Sequence, residues 1–363
     1  MTPDFKIVRN GKNITKALSA YNSSIEFSDE AEDKADTLAI DLSDVPIDGR
    51  YLDMPDIGDE IRLSLGYRET GLTFMGVFIV DAVKLGGDAI MTIDCKSADM
   101  TNSFRTPKAR SWHMKTVGDI AKQIAKENNY EPLISKDLAD IIINHADQFQ
   151  ESDMSFLNRL ASLHDATAKP AGGKLFINPR GQGKSAIGEK LPEVTISRSE
   201  VSGDWTYRYS ARDEKGAAGD LPGQKKSQRT PGGIRARYYN LKSAKTENVD
   251  VGSAPFRELR YPFRNKIEAT AAANAIFNSQ TRGRSELSFS CPGRTDLAAE
   301  VPIRLKGWRP GIPTLWRSKS VRHSLGPSGY VCAVSGDLFE ESKDVSTETK
   351  KASKSQSGWV GDR

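Results

Sequence analysis

The sequence has few of the residues that usually mark covalent or metal chemistry. It contains three cysteines and four histidines in 363 residues. Cys95, Cys291 and Cys332 are far apart, and each lies in an apolar, strand-like run. Isolated cysteines in such runs act as small buried hydrophobic residues. The sequence therefore predicts reduced thiols and favours neither a disulfide framework nor a zinc site.

Long hydrophobic runs and a strong net charge are also missing. No segment approaches the roughly 18–20 consecutive apolar residues that a membrane-spanning helix needs. The N-terminal stretch MTPDFKIVRNGKNITKAL is polar and lacks the apolar centre of a secretory signal, so we expect a protein made in a cytoplasm. The formal net charge of +4 is too small to indicate nucleic-acid binding without a concentrated basic patch.

Motifs that carry enzyme chemistry are absent at sequence level. The four histidines, His113, His145, His164 and His323, show neither HxxxH nor HExxH spacing. No GxSxG, P-loop or GxGxxG stands between a strand and a helix, and the glycine-rich segment 215–233 lacks GK[ST]. The sequence thus predicts no catalytic residue, no cofactor and no metal, and a protein that is not an enzyme.

Residues 1–105 have the pattern of β-strands. Apolar and polar residues alternate with a period of two at 38–42, 61–65 and 91–95, and glycines mark the turns between them. Short strands at regular spacing are typical of an antiparallel barrel or sandwich.

A helical period replaces this pattern in residues 106–190. In TVGDIAKQIAKENN, apolar residues share one helical face, Thr116 is a suitable N-cap and two asparagines end the segment. Residues 141–145 predict a short strand. Ser152 can cap a second helix, and a strand at 175–177 follows the Gly172–Gly173 turn. We therefore predict a small α/β insert.

Strand patterns return over residues 191–341, which we predict to be a second β-barrel region. Its predicted strands lie at 194–197, 204–213, 235–241, 287–291, 301–307, 318–325 and 329–335. A long loop at 215–233 and an inserted alanine-rich helix at about 267–280 interrupt them, and residues 342–363 predict a flexible tail.

Charge is distributed unevenly along the chain. Residues 29–60 contain twelve acidic and two basic residues, whereas 208–245 contain ten basic and three acidic ones. An enzyme site with two paired carboxylates would need one of them in a low-dielectric pocket. The acids of 29–60 lie among turn residues, which favours a solvated acidic face over such a site. Aromatic residues interleave with the basic residues of 208–245, a combination that allows binding of single-stranded nucleic acid. Aromatic residues that alternate along a strand, however, favour burial in the core of a barrel. An acidic and a basic surface on one chain could also pack against each other between neighbouring subunits.

One motif is more specific than the rest. The turn and strand GGKLFINP follow it, and its residues are Glu151, Ser152, Asp153, Phe156, Leu157, Arg159 and Leu160. This combination resembles the signature helix of the contractile-tail hub family, which includes late control protein D of P2-like phages, T4-like hubs and the N-terminal part of type VI secretion spike proteins. The other segments follow in the family's order over nearly the whole chain.

The resemblance implies an α+β, mostly β fold with two tube-like antiparallel β-barrel domains and a small α/β insert domain. It implies a homotrimeric ring in the virion tail baseplate that adapts a sixfold tail tube to a threefold spike, with DNA passing through without specific binding. Tail tube protein, a separate trimeric spike, tape measure protein and baseplate wedge proteins are the implied partners. The motif would be structural, with Arg159 pairing with an acid or a helix C-terminus.

Two departures and three open questions accompany the resemblance. His164-Asp165-Ala166 stands where members often have a glycine, so the helix exit differs, and no spike domain follows the hub region. We hypothesise that some acids of 29–60 face the lumen and repel DNA. A tail-associated peptidoglycan hydrolase is the alternative function. A carbohydrate- or nucleic-acid-binding module built on 204–213 is a third.

Overall fold

A computed structural model describes residues 1–21, 23–31, 34–87, 89–97, 102–171, 173–183, 189–209 and 232–339. Almost all of the predicted loop 215–233 and the whole tail 342–363 lie outside these residues, so both stay predictions. The described chain is mostly β with a few helices. The predicted α+β, mostly β fold class is confirmed.

The first β region combines strands with one short helix. Its elements are β1 (Pro3–Arg9), β2 (Lys12–Asn13), α1 (Thr15–Ala20), β3 (Ser24–Glu30), β4 (Thr37–Ser43), β5 (Glu60–Tyr67), β6 (Gly71–Gly86) and β7 (Ile90–Ser97). Alternate residues of β4 and β5 are buried, as the period of two predicts.

The insert alternates helices and strands. Its elements are α2 (Asn102–Arg105), β8 (Pro107–Thr116), α3 (Val117–Glu127), β9 (Glu131–Ile134), α4 (Lys136–Ala139), β10 (Ile142–Ser152), α5 (Asp153–Ser162), β11 (Ala166–Ala171) and β12 (Lys174–Pro179). Strand β10 is longer than the predicted 141–145, because pairing with β8 continues through its polar half.

The remaining elements follow residue 190. They are β13 (Val194–Ser197), β14 (Ser202–Tyr209), β15 (Gly233–Asn240), β16 (Lys245–Gly252), β17 (Phe256–Glu258), α6 (Lys266–Arg282), β18 (Ser285–Pro292), β19 (Pro302–Lys306), β20 (Leu315–Gly326) and β21 (Gly329–Leu338).

The two β regions share one sheet of thirteen described strands. The order is β14-β18-β21-β20-β3-β4-β7-β6-β5-β1-β2, with β19 beside β20 and β13 beside β19. The regions meet where β3 pairs with β20 in antiparallel register, from Ile25 opposite Leu325 to Glu30 opposite Ser320. One hydrophobic cluster contains buried residues of both regions. The division into two separate tube-like barrels stays a prediction.

Side chains reinforce the junction between β3 and β20. The Phe27 ring stacks on the His323 imidazole at 5.5 Å between ring centroids and meets Phe78 edge-on at the same distance. Farther along, the Tyr67 hydroxyl donates a hydrogen bond of 2.9 Å to the Gly293 carbonyl. The two regions are therefore joined by backbone pairing and by shared apolar burial.

The insert has its own hydrophobic core. Helix α3 begins with a capping box, in which the Thr116 Oγ1 accepts from the Asp119 N–H at 3.0 Å. It ends at Asn128, and Asn129 has a left-handed φ of +61°. Its apolar face packs with α5 and the sheet β11-β12-β9. Predicted caps and apolar positions of this helix agree with the structure.

A separate unit forms where the sequence analysis placed part of the second barrel. Strand β15, predicted there, pairs with β16 and β17 and joins a three-stranded sheet apart from the large one. Helix α6 covers this sheet, and Ile234, Ala236, Ala269 and Ala273 lie in their common core. The sequence KTENVDVG of β16 contains too few apolar residues to predict a strand, so we missed this sheet.

A charged junction ties the insert to both β regions. The Lys169 ammonium of β11 lies 2.6 Å from the Asp36 carboxylate and 3.8 Å from that of Asp29, and it donates to the Glu30 carbonyl at 2.7 Å. The Asp29 carboxylate also accepts from the Ala299 N–H at 2.8 Å. Burial and the neighbouring Asp36 charge raise the pKa of Asp29 to about 7, against the opposing charge of Lys169.

Stability should therefore depend on pH through Asp29. The pKa of Asp29 is higher in the folded chain than in the unfolded chain. Its protonated form therefore stabilises the fold fully below about pH 3.8, and this stabilisation is lost as the pH rises through about 7. Asn cannot ionise, so the free energy of unfolding of Asp29→Asn should not fall over this range. Relative to the wild type it should rise by about 1–2 kcal/mol from pH 4 to pH 7.5, after discounting for partial exposure. Guanidinium unfolding at several pH values measures this difference. Exposed Asp56→Asn is the control, and an Asp29→Asn difference that does not change with pH would contradict the prediction.

Candidate functional site

The motif residues lie where strand β10 passes into helix α5. Ser152 is the N-cap, and its Oγ accepts a hydrogen bond of 3.2 Å from the Ser155 N–H. Asp153 is the first residue of the helix, where the partial positive charge of the helix N-terminus favours a carboxylate. The predicted cap and first-turn acid are therefore both present.

Asp153 is the centre of a buried polar network. Its side chain is fully buried. Four donors from three elements surround its carboxylate: Lys108 Nζ at 2.6 Å, Arg110 Nη2 at 2.5 Å, Asn128 Nδ2 at 2.9 Å and Gln148 Nε2 at 2.9 Å. Since β8, β10 and the end of α3 all reach this one carboxylate, it fixes their positions relative to α5.

The network keeps Asp153 ionised despite its burial. Burial alone would raise its pKa, but hydrogen bonds from Gln148, Lys108 and Asn128 and the charge of Arg110 lower the pKa below its usual value. Arg110 also binds Glu127 at 2.6 Å, which balances the second positive charge. A carboxylate that is buried, ionised and saturated with protein donors is a poor general acid.

Arg159 pairs with the first residue of the motif. Its Nη2 lies 2.8 Å from Glu151 Oε2 and its Nε lies 3.1 Å from Oε1, so the pair is bidentate. The same Nη2 donates to the Asp147 carbonyl at 2.8 Å, and the guanidinium lies 5.2 Å from the Phe156 ring centroid. These contacts connect the outer face of α5 to β10.

The apolar motif residues face the core of the insert. Phe156, Leu157 and Leu160 are all buried there. The Phe156 ring stacks on Trp112 of β8 at 6.1 Å between centroids. The motif therefore has four parts: a cap, a buried carboxylate, the Glu151–Arg159 ion pair and an apolar stripe.

The structure brings together a cysteine and a histidine that the sequence analysis did not pair. Cys332 Sγ lies 3.2 Å from His323 Nδ1, which also contacts the Tyr330 hydroxyl at 2.8 Å. Burial raises the pKa of Cys332 to about 11 and lowers the pKa of His323 to about 4. Both groups are neutral at pH 7, so this pair lacks the thiolate that a nucleophile requires. Cys95, Cys291 and Cys332 are free and buried, as predicted.

The aromatic strand β14 lies against the core. Trp205 meets Trp308 edge-on at 5.0 Å, and Tyr207 meets Trp316 edge-on at 5.9 Å. Both are half-buried, whereas Tyr209 is exposed. Two of the three rings are therefore engaged with protein and do not form an open stacking platform for bases.

The acidic residues of 29–60 occupy different environments. Asp29 and Asp36 bind Lys169, and Asp59 binds Arg9 at 2.6 Å. The segment 44–58 is mostly exposed and carries acids together with large apolar side chains. The expected solvated face is therefore limited to part of the range, and Glu32 and Asp33 lie outside the described residues.

Sequence reasoning missed the partners of Asp153. Lys108, Arg110, Asn128 and Gln148 lie up to 45 residues away from it and come together only through the β8–β10 pairing and the end of α3. Within the described ranges, no group of three or more His, Cys, Asp or Glu side chains could hold a metal ion. No helix in the same part of the chain is long and apolar enough to cross a membrane.

Comparison with known proteins identifies the family. A family model described as phage tail baseplate hub (GPD) matches residues 91–328. The probable baseplate hub protein of Escherichia phage P2 is 29% identical over 387 aligned residues, which cover 96% of each protein. The predicted resemblance to P2-like hubs is confirmed.

Solved structures share the fold. A 43 kDa tail protein of prophage MuSo2 from Shewanella oneidensis superposes with a TM-score of 0.68 at 13% identity, covering 93% of this chain and 98% of that one. The Escherichia coli c3393 protein, a type VI secretion component, gives a TM-score of 0.53 at 12% identity, covering 88% of this chain and 73% of that one. The family model and the fold agree, and this chain belongs to the phage tail baseplate hub (GPD) family.

Proposed function

We propose that this baseplate hub protein assembles as a homotrimer at the centre of a contractile tail. Each copy contributes two β regions side by side, so three copies place six β regions around one axis. Such a ring matches a sixfold tail tube on one face and a threefold spike on the other. Its partners are the tail tube protein and a trimeric spike, with tape measure and wedge proteins nearby, and assembly takes place in the host cytoplasm.

The observation that carries this proposal is the continuous sheet across β3 and β20. Because both β regions share that sheet and one core, a copy behaves as one rigid double unit. Symmetry adaptation needs such a unit, since a flexible link would let the two regions take unequal positions. Closed rings of identical subunits are a common outcome of heterologous contacts.

Exposed apolar side chains support the proposed assembly. Val45, Tyr51, Met54 and Ile57 are 53%, 63%, 57% and 66% exposed, and all lie within 44–58. Contiguous exposed apolar groups mark protein interfaces more often than free surface. We assign these apolar side chains, and not the acids between them, to a contact with another subunit of the baseplate.

We assign the motif a structural role in the insert. The Asp153 network holds β8, β10, α3 and α5 together, and Lys169 then joins the insert to the first β region. No described residue favours the alternative of a peptidoglycan hydrolase, because the buried carboxylate and the Cys332–His323 pair are both chemically quiet. Bands of lysis in a cell-wall zymogram would overturn the non-enzymatic assignment.

The mass of the purified protein tests the trimer directly. Multi-angle light scattering should give three times the chain mass of 39.9 kDa. Addition of a trimeric tail spike protein should give a complex of three copies of each. A monomer that stays monomeric in the presence of the spike would contradict the proposal.

Substitution of Asp153 tests the structural role. We expect Asp153→Asn to lose about 3–5 kcal/mol in free energy of unfolding, because Lys108 and Arg110 would then lie beside an uncharged group. Chemical denaturation measures the loss. Exposed Asp137→Asn, in the same insert, is the matched control and should change stability by less than about 0.5 kcal/mol. Equal stabilities of the two variants would contradict the assigned role.

The exposed acids allow a test of the proposed DNA path. If Asp48, Asp53 and Asp56 face the lumen, replacing all three with lysine should slow DNA ejection, because the cations would hold phosphates. Ejection is followed by dye release from purified particles, with particle counts as the control for assembly. Normal assembly with an unchanged ejection rate would contradict the placement of these acids in the lumen.

A further inference from the structure

Two histidines far apart in sequence face each other on the β8–β10 ribbon. His113 and His145 occupy directly opposed positions, and their rings stack at 4.5 Å between centroids. Their Nδ1 atoms lie 2.9 Å apart. His113 is exposed and the side chain of His145 is 30% exposed, so solvent and ions reach the pair.

A carboxylate fixes the orientation of one ring. Asp147 Oδ2 lies 3.0 Å from His145 Nε2, and Asp147 Oδ1 accepts from the Ser111 hydroxyl at 2.6 Å. The contact with Asp147 orients the His145 ring so that its Nδ1 atom faces Nδ1 of His113.

Two converging imidazole nitrogens suit a late first-row transition metal. Metal–nitrogen bonds of about 2.0–2.1 Å place the two nitrogens about 2.9 Å apart at the right angle of a tetragonal Cu²⁺ or Ni²⁺ centre, and about 3.3 Å apart at the tetrahedral angle of Zn²⁺. The observed separation therefore needs little rearrangement when a metal replaces the shared proton. Imidazole ligands prefer Cu²⁺, Zn²⁺ and Ni²⁺ over Mg²⁺ or Ca²⁺.

We propose that His113 and His145 bind one divalent transition-metal ion through their Nδ1 atoms and thereby clip β8 to β10. Asp147 is a positioning residue, and Ser111 supports it. The remaining coordination positions are open to water or to a donor from a neighbouring subunit. Arg264 donates to the His145 carbonyl at 3.0 Å and thereby holds the backbone of the ligand-bearing strand.

The affinity order follows from the ligands. The Irving–Williams order places Cu²⁺ above Ni²⁺ and Zn²⁺ for such donors. Binding to the folded chain should also raise its melting temperature in proportion to the logarithm of the metal concentration. This shift provides a second readout that does not depend on the heat of binding.

Titration calorimetry of the full chain, purified without a polyhistidine tag, tests the site. CuSO₄ and ZnCl₂ should each bind with one equivalent per chain, and MgCl₂ should give no heat. His113→Gln and His145→Gln should each abolish that equivalent, and Asp147→Ala should weaken it about 10–100-fold. His164→Gln, a histidine elsewhere in the insert, should bind like the wild type.

Two controls keep the result interpretable. Circular dichroism and melting curves without metal show whether each variant is folded, and the Cu²⁺ electron paramagnetic resonance spectrum should report two equivalent nitrogen ligands. Absence of binding to the wild type would overturn the proposal. Binding that survives both His113→Gln and His145→Gln, or that His164→Gln removes, would overturn it as well.

Discussion

The pairing of β3 with β20 is the constraint on which the rest of the structure depends. It joins residues near the start of the chain to residues almost 300 positions later, and it turns two β regions into one sheet with one core. The insert and the unit of β15, β16, β17 and α6 are both placed relative to this sheet. Closing so long a loop costs chain entropy, which the shared burial around Phe27 and His323 offsets.

Buried ion pairs fix the smaller units to each other and to the sheet. Arg282 at the end of α6 binds Asp165 of the insert at 2.8 Å, and fully buried Arg317 of β20 binds Asp337 of β21 at 2.8 Å. Lys169 connects the insert to Glu30 of β3 and to Asp36, the residue before β4, in the same way. Because a buried charge without its partner is costly, these pairs specify one arrangement of the units more strongly than apolar contacts alone would.

Local sequence patterns predicted the individual helices and strands better than they predicted how these pack together. Thr116, Ser152 and the apolar stripes of α3 and α5 carry local signals, so their helices could be predicted. The strand β16, which is mostly polar, carries no such signal. The donors around Asp153 and the His113–His145 pair depend on the register of β8 and β10, which no short stretch of sequence specifies.

The proposed role follows from a chain that supplies two β regions as a single body. A reconstruction of the isolated hub by electron cryomicroscopy, computed without imposed symmetry, tests this claim most directly. The reconstruction should show three copies, with six β regions in one ring and the two regions of each copy adjacent through β3 and β20. A ring in which the two β regions of one chain lie apart, or in different layers, would contradict it.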